Sequence, residues 1–231
     1  MRKAEITENL NRVRERIVTC CGACGRGEGE VTLLAVSKTK PASALRAAFA
    51  AGQRDFGENY LQEALEKQAE LSDLPIRWHF IGPLQSNKTR QVAEHFQWVH
   101  TVDRLKIARR LSEQRPAGLP PLEVCLQVNI DAEESKSGVA PGELPQLAQA
   151  VAELPNIRLR GLMAIPAPRG ERAEQRAPLE ALASLLQSLR EQLPGAPLDT
   201  LSMGMSADME AAIEAGSTMV RVGTDIFGRR D

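Results

Sequence analysis

The chain has 231 residues, and 42% of them are hydrophobic, which is enough for a sizeable buried core in one α/β barrel or two small domains. The formal net charge is −1, so the basic excess that nucleic-acid binding through phosphate contacts requires is missing. The polar amino-terminal segment has no apolar signal core, and no stretch is long enough to span a bilayer. We therefore expect a soluble cytoplasmic protein, a monomer or weak dimer, with neither nucleic acid nor membrane as a partner.

The first predicted element is an amphipathic helix. Ile6, Leu10, Val13 and Ile17 form an apolar stripe at helical spacing, which the glycine-rich segment 25–29 ends. The glycine spacing is not a dinucleotide-binding fingerprint, because it precedes a strand instead of following one.

Cysteines cluster at the end of this helix. Cys21 and Cys24 have the spacing of a redox pair or half a zinc site. A redox pair is expected where a helix begins, and these residues lie where one ends. With Cys20 adjacent, Cys125 distant and no histidine nearby, four zinc ligands are poorly supplied, so we expect free reduced thiols and no metal.

From residue 31 onward, β-rich and helical segments alternate. The predicted strands are 31–37, 54–56, 77–81, 97–101, 122–130, 157–163, 199–202 and 218–222. The predicted helices between them include 42–51, 61–71, 103–115, 142–153 and 176–193.

This rhythm predicts a single (β/α)8 TIM-type barrel over residues 1–231, with an additional amino-terminal helix. A doubly wound sheet is the runner-up. After the last strand and the Gly223-Thr224 segment, only the seven residues 225–231 remain, too few for a covering helix. The amino-terminal helix is therefore expected near that gap or across the barrel bottom.

Lys38 follows the first barrel strand directly, just before a helix that Pro41 initiates. The carboxyl ends of barrel strands carry catalytic and binding residues, and a primary amine there suits carbonyl chemistry. Lys40 lies two residues further on and is the alternative. Either lysine taken alone is more often a solvated surface residue.

The loops after the last two strands form a candidate phosphate site. Barrels commonly bind phosphate there, through backbone N–H groups and the start of a short helix. Gly223 permits close backbone approach, and Ser206 and Thr224 supply hydroxyl donors. The segment 206–210 reads as the cap and first turn of a helix. The alternative for each loop alone is a cap or turn without a ligand.

Five motifs occur in order along almost the whole chain. They are Ala35-Val36-Ser37-Lys38-Thr39-Lys40-Pro41, Phe56-Gly57-Glu58-Asn59, His79-Phe80-Ile81-Gly82 through Lys88, Ser202-Met203-Gly204-Met205-Ser206, and Arg221-Val222-Gly223-Thr224. In this combination the chain resembles the pyridoxal-phosphate homeostasis proteins, which have the fold of the alanine racemase amino-terminal domain. The resemblance implies pyridoxal 5'-phosphate as cofactor, held as a Schiff base on Lys38.

The resemblance also assigns roles around the cofactor ring. Arg221 is implied to face the pyridine nitrogen, where a permanent cation opposes ring protonation and so weakens the ring as an electron sink. From the residues alone, Arg221 would be read as an ion-pair residue at the barrel rim. Asn59 is the best further candidate to line the ring, and His79, Asn129 and Met163 are weaker ones. For Lys136, reaching over the mouth and lying solvated at the surface are equally good interpretations.

Two classes of function remain. A racemase of this fold needs a second domain that carries a tyrosine acid/base for the opposite ring face. The chain ends at Asp231, and its single tyrosine, Tyr60, is badly placed for that role. The sequence therefore favours a carrier in vitamin B6 homeostasis, without catalytic residues, that passes the cofactor to apo-enzymes. The alternative is a weak racemase, lyase or transaminase.

Overall fold

In the computed structural model, which describes residues 2–229, parallel strands close into a barrel in chain order. The strands are β1 (Thr32–Val36), β2 (Asp55–Glu58), β3 (Arg77–Phe80), β4 (Trp98–Val102), β5 (Leu122–Gln127), β6 (Ile157–Met163), β7 (Thr200–Ser202) and β8 (Met219–Val222). Pairing of β1 with β8 closes the ring, with Leu34 opposite Arg221. The predicted TIM-type barrel is therefore confirmed, and the doubly wound sheet is wrong.

Helices follow the strands on the outside. They are α1 (Lys3–Ala23), α2 (Ala42–Ala50), α3 (Leu61–Glu70), α4 (Thr89–His95), α5 (Leu105–Gln114), α6 (Leu144–Ala152), α7 (Arg172–Gln192), α8 (Met209–Glu214) and α9 (Thr224–Phe227). The predicted strand 122–130 was too long: β5 ends at Gln127, Val128 forms an isolated bridge with Val139, and the Asn129 N–H donates to the Val139 carbonyl. The sequence pattern also missed α4, which is short.

The apolar core has two parts, as strand alternation requires. The outer part lies between the strands and the helices and includes Leu33 and Ala35 of β1. The inner part lies inside the barrel, where Leu34 packs with Ile81 and Met219 and partly buried Val36 packs against them. Residues 34 and 36 therefore point inward, and the same parity assigns residue 38 to the inward face.

Helix α1 covers the gap that the short α9 leaves. It packs against α2, α8 and α9, and its apolar stripe from Ile6 to Ile17 is buried. Of the two predicted positions, the one near the gap is correct and the one across the barrel bottom is wrong. Within residues 2–229, no helix is long and apolar enough to cross a bilayer.

Candidate functional site

Lys38 lies just beyond the carboxyl end of β1, half-buried, on the inward parity of that strand. The next residue, Thr39, has a φ of +66°, which is unfavourable for a β-branched residue. Its backbone N–H donates to Glu63 Oε1 at 2.5 Å. The chain therefore turns sharply after Lys38 and is held there from α3.

A buried polar cluster fixes the peptide that precedes Lys38. Lys67 Nζ of α3 donates to the Ser37 carbonyl at 2.7 Å and to Glu58 Oε1 at 2.8 Å. The Ser37 hydroxyl also donates to Glu58 Oε1, at 2.6 Å. Burial raises the pKa of Glu58, although Lys67 and Ser37 oppose that shift. No sequence motif reveals this cluster, because its members lie in separate elements.

Lys40 points elsewhere. Its Nζ donates to the Arg229 carbonyl at 2.9 Å, and it lines a groove of about 810 Å³ on the outside of the barrel, together with Lys3 and Pro41. Although this groove is large, it lies between α1, α2 and the segment after α9, not at the barrel mouth.

A smaller cavity of about 310 Å³ opens at the mouth, lined by the segments that follow β2, β3, β5 and β6. Asn59, Asn129 and Lys136 contribute to its wall. Among residues 2–229, the buried Asn59 Oδ1 finds no hydrogen-bond partner, and such an atom calls for a ligand or water. Since Val36 pairs with Gly57, Asn59 follows β2 at the level where Lys38 follows β1.

Arg221 is buried inside the barrel near the end of β8, with 5% of its surface exposed. It donates to Ser202 Oγ at 2.8 Å and to the Ala164 carbonyl at 3.0 Å. Burial lowers the pKa of its guanidinium to about 10, which leaves it charged at neutral pH. The rim position that the residues alone suggested is therefore wrong.

The loops after β7 and β8 meet through Arg16 of α1. Its guanidinium donates to the Ser206 carbonyl at 3.3 Å, to Glu210 at 2.8 Å and to Asp225 at 2.8 Å. Although burial opposes it, these two carboxylates raise the pKa of Arg16. Ser206 is half-buried and Thr224 is exposed, and Arg16, which the sequence analysis missed, ties their segments together.

Glycines allow these loops to pack closely. A Cβ on Gly223 would lie 3.1 Å from the Val36 carbonyl, so this residue brings the end of β8 against β1. Gly204 has a φ of +98°, and a Cβ there would lie 2.5 Å from that of Ala212. The predicted helix start at Ser206 is wrong: α8 begins at Met209, and Asp208 accepts from the Met205 N–H at 2.7 Å.

His79 does not reach the mouth. It is fully buried in the middle of β3, between Asp55 and His100 at 2.9 Å each. Met163 is likewise fully buried at the end of β6. Asn129 and Lys136 do line the mouth cavity, and Lys136 forms an ion pair with Glu133 at 3.0 Å.

The cysteines are free thiols, as expected. Burial raises the pKa of Cys125 to about 12, so that thiol is inert at neutral pH. Among residues 2–229, no group of three or more His, Cys, Asp or Glu side chains is arranged to hold a metal ion.

Comparisons with known proteins agree with the barrel fold. Residues 3–231 match the model of the alanine racemase N-terminal domain. A pyridoxal phosphate homeostasis protein of Pseudomonas aeruginosa is 67% identical over 226 residues, 98% of this chain and 96% of the relative. The structure of PipY of Synechococcus elongatus with PLP bound is 40% identical, with a TM-score of 0.85 over 96% of this chain and 100% of that one.

Alanine racemases share only the fold. That of Corynebacterium glutamicum is 19% identical, with a TM-score of 0.71, and this chain covers 62% of its length. The racemase thus contains a large part with no counterpart here. The high identity to named relatives over nearly the full length shows that this chain belongs to the pyridoxal phosphate homeostasis protein family, whose barrel is that of the alanine racemase N-terminal domain.

Proposed function

We propose that this protein binds pyridoxal 5'-phosphate through a Schiff base on Lys38 and acts as a carrier of the cofactor. The observation that carries the proposal is the position of Lys38, just beyond the carboxyl end of β1 and on its inward parity, level with Asn59, which lines the mouth cavity. The PLP-bound structure of a 40% identical relative supports the choice of ligand.

The residues at the mouth fit this ligand. The cavity of about 310 Å³ is of the size that small-molecule sites have, and Asn59 Oδ1 offers an unused acceptor. With the cofactor bound, the Lys38 amine would form a C=N bond to its aldehyde carbon with loss of water, and hydrolysis would reverse the reaction. Such a linkage masks a reactive aldehyde without destroying it.

We assign the phosphate to the segments after β7 and β8. Ser206 and Thr224 supply hydroxyl donors, and the Gly223 backbone allows close approach. Arg16 supports this assignment because its guanidinium donates both to the Ser206 carbonyl and to Asp225, and so joins the two segments. Hydrogen bonds to a charged phosphate are about twice as strong as those between neutral groups.

Arg221 favours holding the cofactor over catalysis. A buried cation near the pyridine nitrogen discourages ring protonation, and an unprotonated ring stabilises carbanions poorly. Reversal of stereochemistry also needs a proton donor on each ring face. Tyr60 is exposed beside Asn59, and no contact of the described residues assigns it that role.

The test compares donation with turnover. Protein loaded with PLP should reactivate an apo-transaminase added in equimolar amount, while pure protein should neither racemise nor deaminate amino acids over many equivalents. Lys40→Ala is the matched control for Lys38→Ala, since Lys40 lies on the outer groove. Multiple turnovers that disappear in Lys38→Ala but persist in Lys40→Ala would replace the carrier by an enzyme.

A further inference from the structure

A continuous chain of hydrogen bonds crosses the inside of the barrel. At the amino-terminal end of the strands, the Arg77 guanidinium donates to both carboxylate oxygens of Asp55, at 2.7 and 2.8 Å. Asp55 contacts His79 at 2.9 Å, and His79 contacts His100 at 2.9 Å. His100 then contacts Ser202 Oγ at 2.7 Å, and Ser202 accepts from Arg221.

The chain links opposite ends of the barrel. Asp55 and Arg77 are the first residues of β2 and β3, whereas Ser202 is the last residue of β7. His79, His100 and Ser202 are all completely buried. No other role described above uses Asp55 or the two histidines, although buried polar networks of this length are costly unless every member is satisfied.

The direction of every hydrogen bond follows from the charged ends. Asp55 only accepts, so His79 donates to it from Nε2 and keeps Nδ1 as an acceptor. His100 must then donate from Nε2 to His79, which leaves its Nδ1 to accept the Ser202 hydroxyl proton. Ser202 Oγ therefore presents its lone pairs to the guanidinium of Arg221, which only donates.

The reverse direction fails at the Asp55 end, because it would place the unprotonated Nε2 of His79 against the Asp55 carboxylate. Both rings must also be neutral. Burial lowers the pKa of His79 and, with the neighbouring His79, lowers that of His100 well below its usual value, in agreement with this arrangement.

We infer that Asp55, His79, His100 and Ser202 form a positioning relay that holds the Arg221 guanidinium in place at the cofactor site. The inference rests on the proposed function only for what Arg221 faces. Asp55 touches nothing at the mouth, yet its charge determines which way Ser202 points. The relay is thus a set of positioning residues that acts through Arg221.

The first test needs no cofactor. The chain has 3 histidines, and the third, His95, is exposed at the end of α4 and supplies a reference signal. In ¹⁵N-histidine spectra, the two buried rings should be neutral Nε2–H tautomers that do not titrate between pH 5 and pH 8. Either ring in the Nδ1–H form, or charged in this range, would overturn the relay.

The second test measures PLP affinity and the absorbance of bound PLP in Asp55→Leu, Ser202→Ala and the double variant. Each single change should weaken binding by about tenfold, the effect of one lost hydrogen bond, and should shift the absorbance band. The double variant should be no worse than either single one, because both cut the same chain. Ser112→Ala, which removes a buried hydroxyl of α5 that bonds the Pro155 carbonyl, is the control and should leave both readouts unchanged.

The outcomes separate the two claims. Wild-type protein that binds PLP, with Asp55→Leu and Ser202→Ala unchanged or additive, would overturn the relay and leave the proposed function standing. Wild-type protein that fails to bind PLP would overturn the proposed function, and the role of the relay at that site with it.

Discussion

The position of Lys38 is fixed by residues that do not line the mouth cavity. Lys67 holds the Ser37 carbonyl, Glu63 holds the Thr39 N–H, and both lie on α3. The lysine between these two peptides is therefore clamped on either side. A sequence motif identifies Lys38 but not the residues that hold its neighbours, because these acidic and basic partners are 20 to 30 residues away in sequence.

The ion pair between Lys67 and Glu58 can be tested by measuring the free energy of unfolding. Lys67→Met leaves the Glu58 carboxyl buried without its cation and should lower the free energy of unfolding by about 3–5 kcal/mol. Glu58→Leu/Lys67→Met replaces the whole pair by apolar groups and should recover most of that loss. Urea unfolding of the two variants measures the difference, and a Lys67→Met protein as stable as wild type would contradict the role given to this ion pair.

For the secondary-structure elements, the order of strands and helices follows from the periodic pattern of apolar residues in the sequence. Short β-rich segments alternate with helical ones, and this pattern located all the strands to within a few residues. It failed for α4, which is too short to show a period, and for the start of α8, where Asp208 rather than Ser206 occupies the N-cap position. Only some contacts of α1 could be predicted. Its apolar stripe is evident in the sequence, but the contacts of Arg16 with Ser206, Glu210 and Asp225 are not.

The Arg16 clamp leads to a prediction about the phosphate. Arg16→Met should loosen the segments that carry Ser206 and Thr224, so affinity for PLP should fall by about fivefold, or about 1 kcal/mol. Affinity for pyridoxal, which lacks the phosphate, should hardly change. Arg12→Met, on the exposed face of the same helix, is the control, and an equal loss for both ligands would place the phosphate elsewhere.

At the scale of the whole molecule, the barrel interior couples stability to pH. The pKa of His79 and that of His100 are lowered in the folded state, mainly by burial. For Asp55, burial favours the neutral form, but hydrogen bonds from Arg77 and His79 outweigh it and lower the pKa. For all three groups the unfolded chain binds more protons, so folding stability must fall as pH decreases.

The loss should begin where unfolded histidines take up protons, near their ordinary pKa of 6.5, and continue through the range in which Asp55 and other carboxylates are protonated. Each buried histidine contributes up to about 1.4 kcal/mol per pH unit. Urea unfolding between pH 7 and pH 5 should show this slope, and His100→Gln should reduce it. His95→Gln is the matched control, and a stability that rises on acidification would contradict the neutral relay.

The relay also shows why the site could be predicted only in part. A strand end and a short motif locate Lys38, Asn59 and Arg221, because their neighbours in sequence set their place in the barrel. The chain from Asp55 to Ser202 joins β2, β3, β4 and β7, and nothing in the sequence states which inward residues of distant strands meet. For that reason the sequence did not reveal the hydrogen-bond partners of His79.

The most direct test of the account is to locate the attachment of the cofactor. Protein loaded with PLP is reduced with borohydride, digested and sequenced by mass spectrometry, with Lys38→Ala and Lys40→Ala treated in parallel. We expect one pyridoxyl-modified residue, Lys38, in wild type and in Lys40→Ala, and none in Lys38→Ala. Modification of Lys40 or Lys136 instead of Lys38, or no stable adduct in wild type, would contradict it.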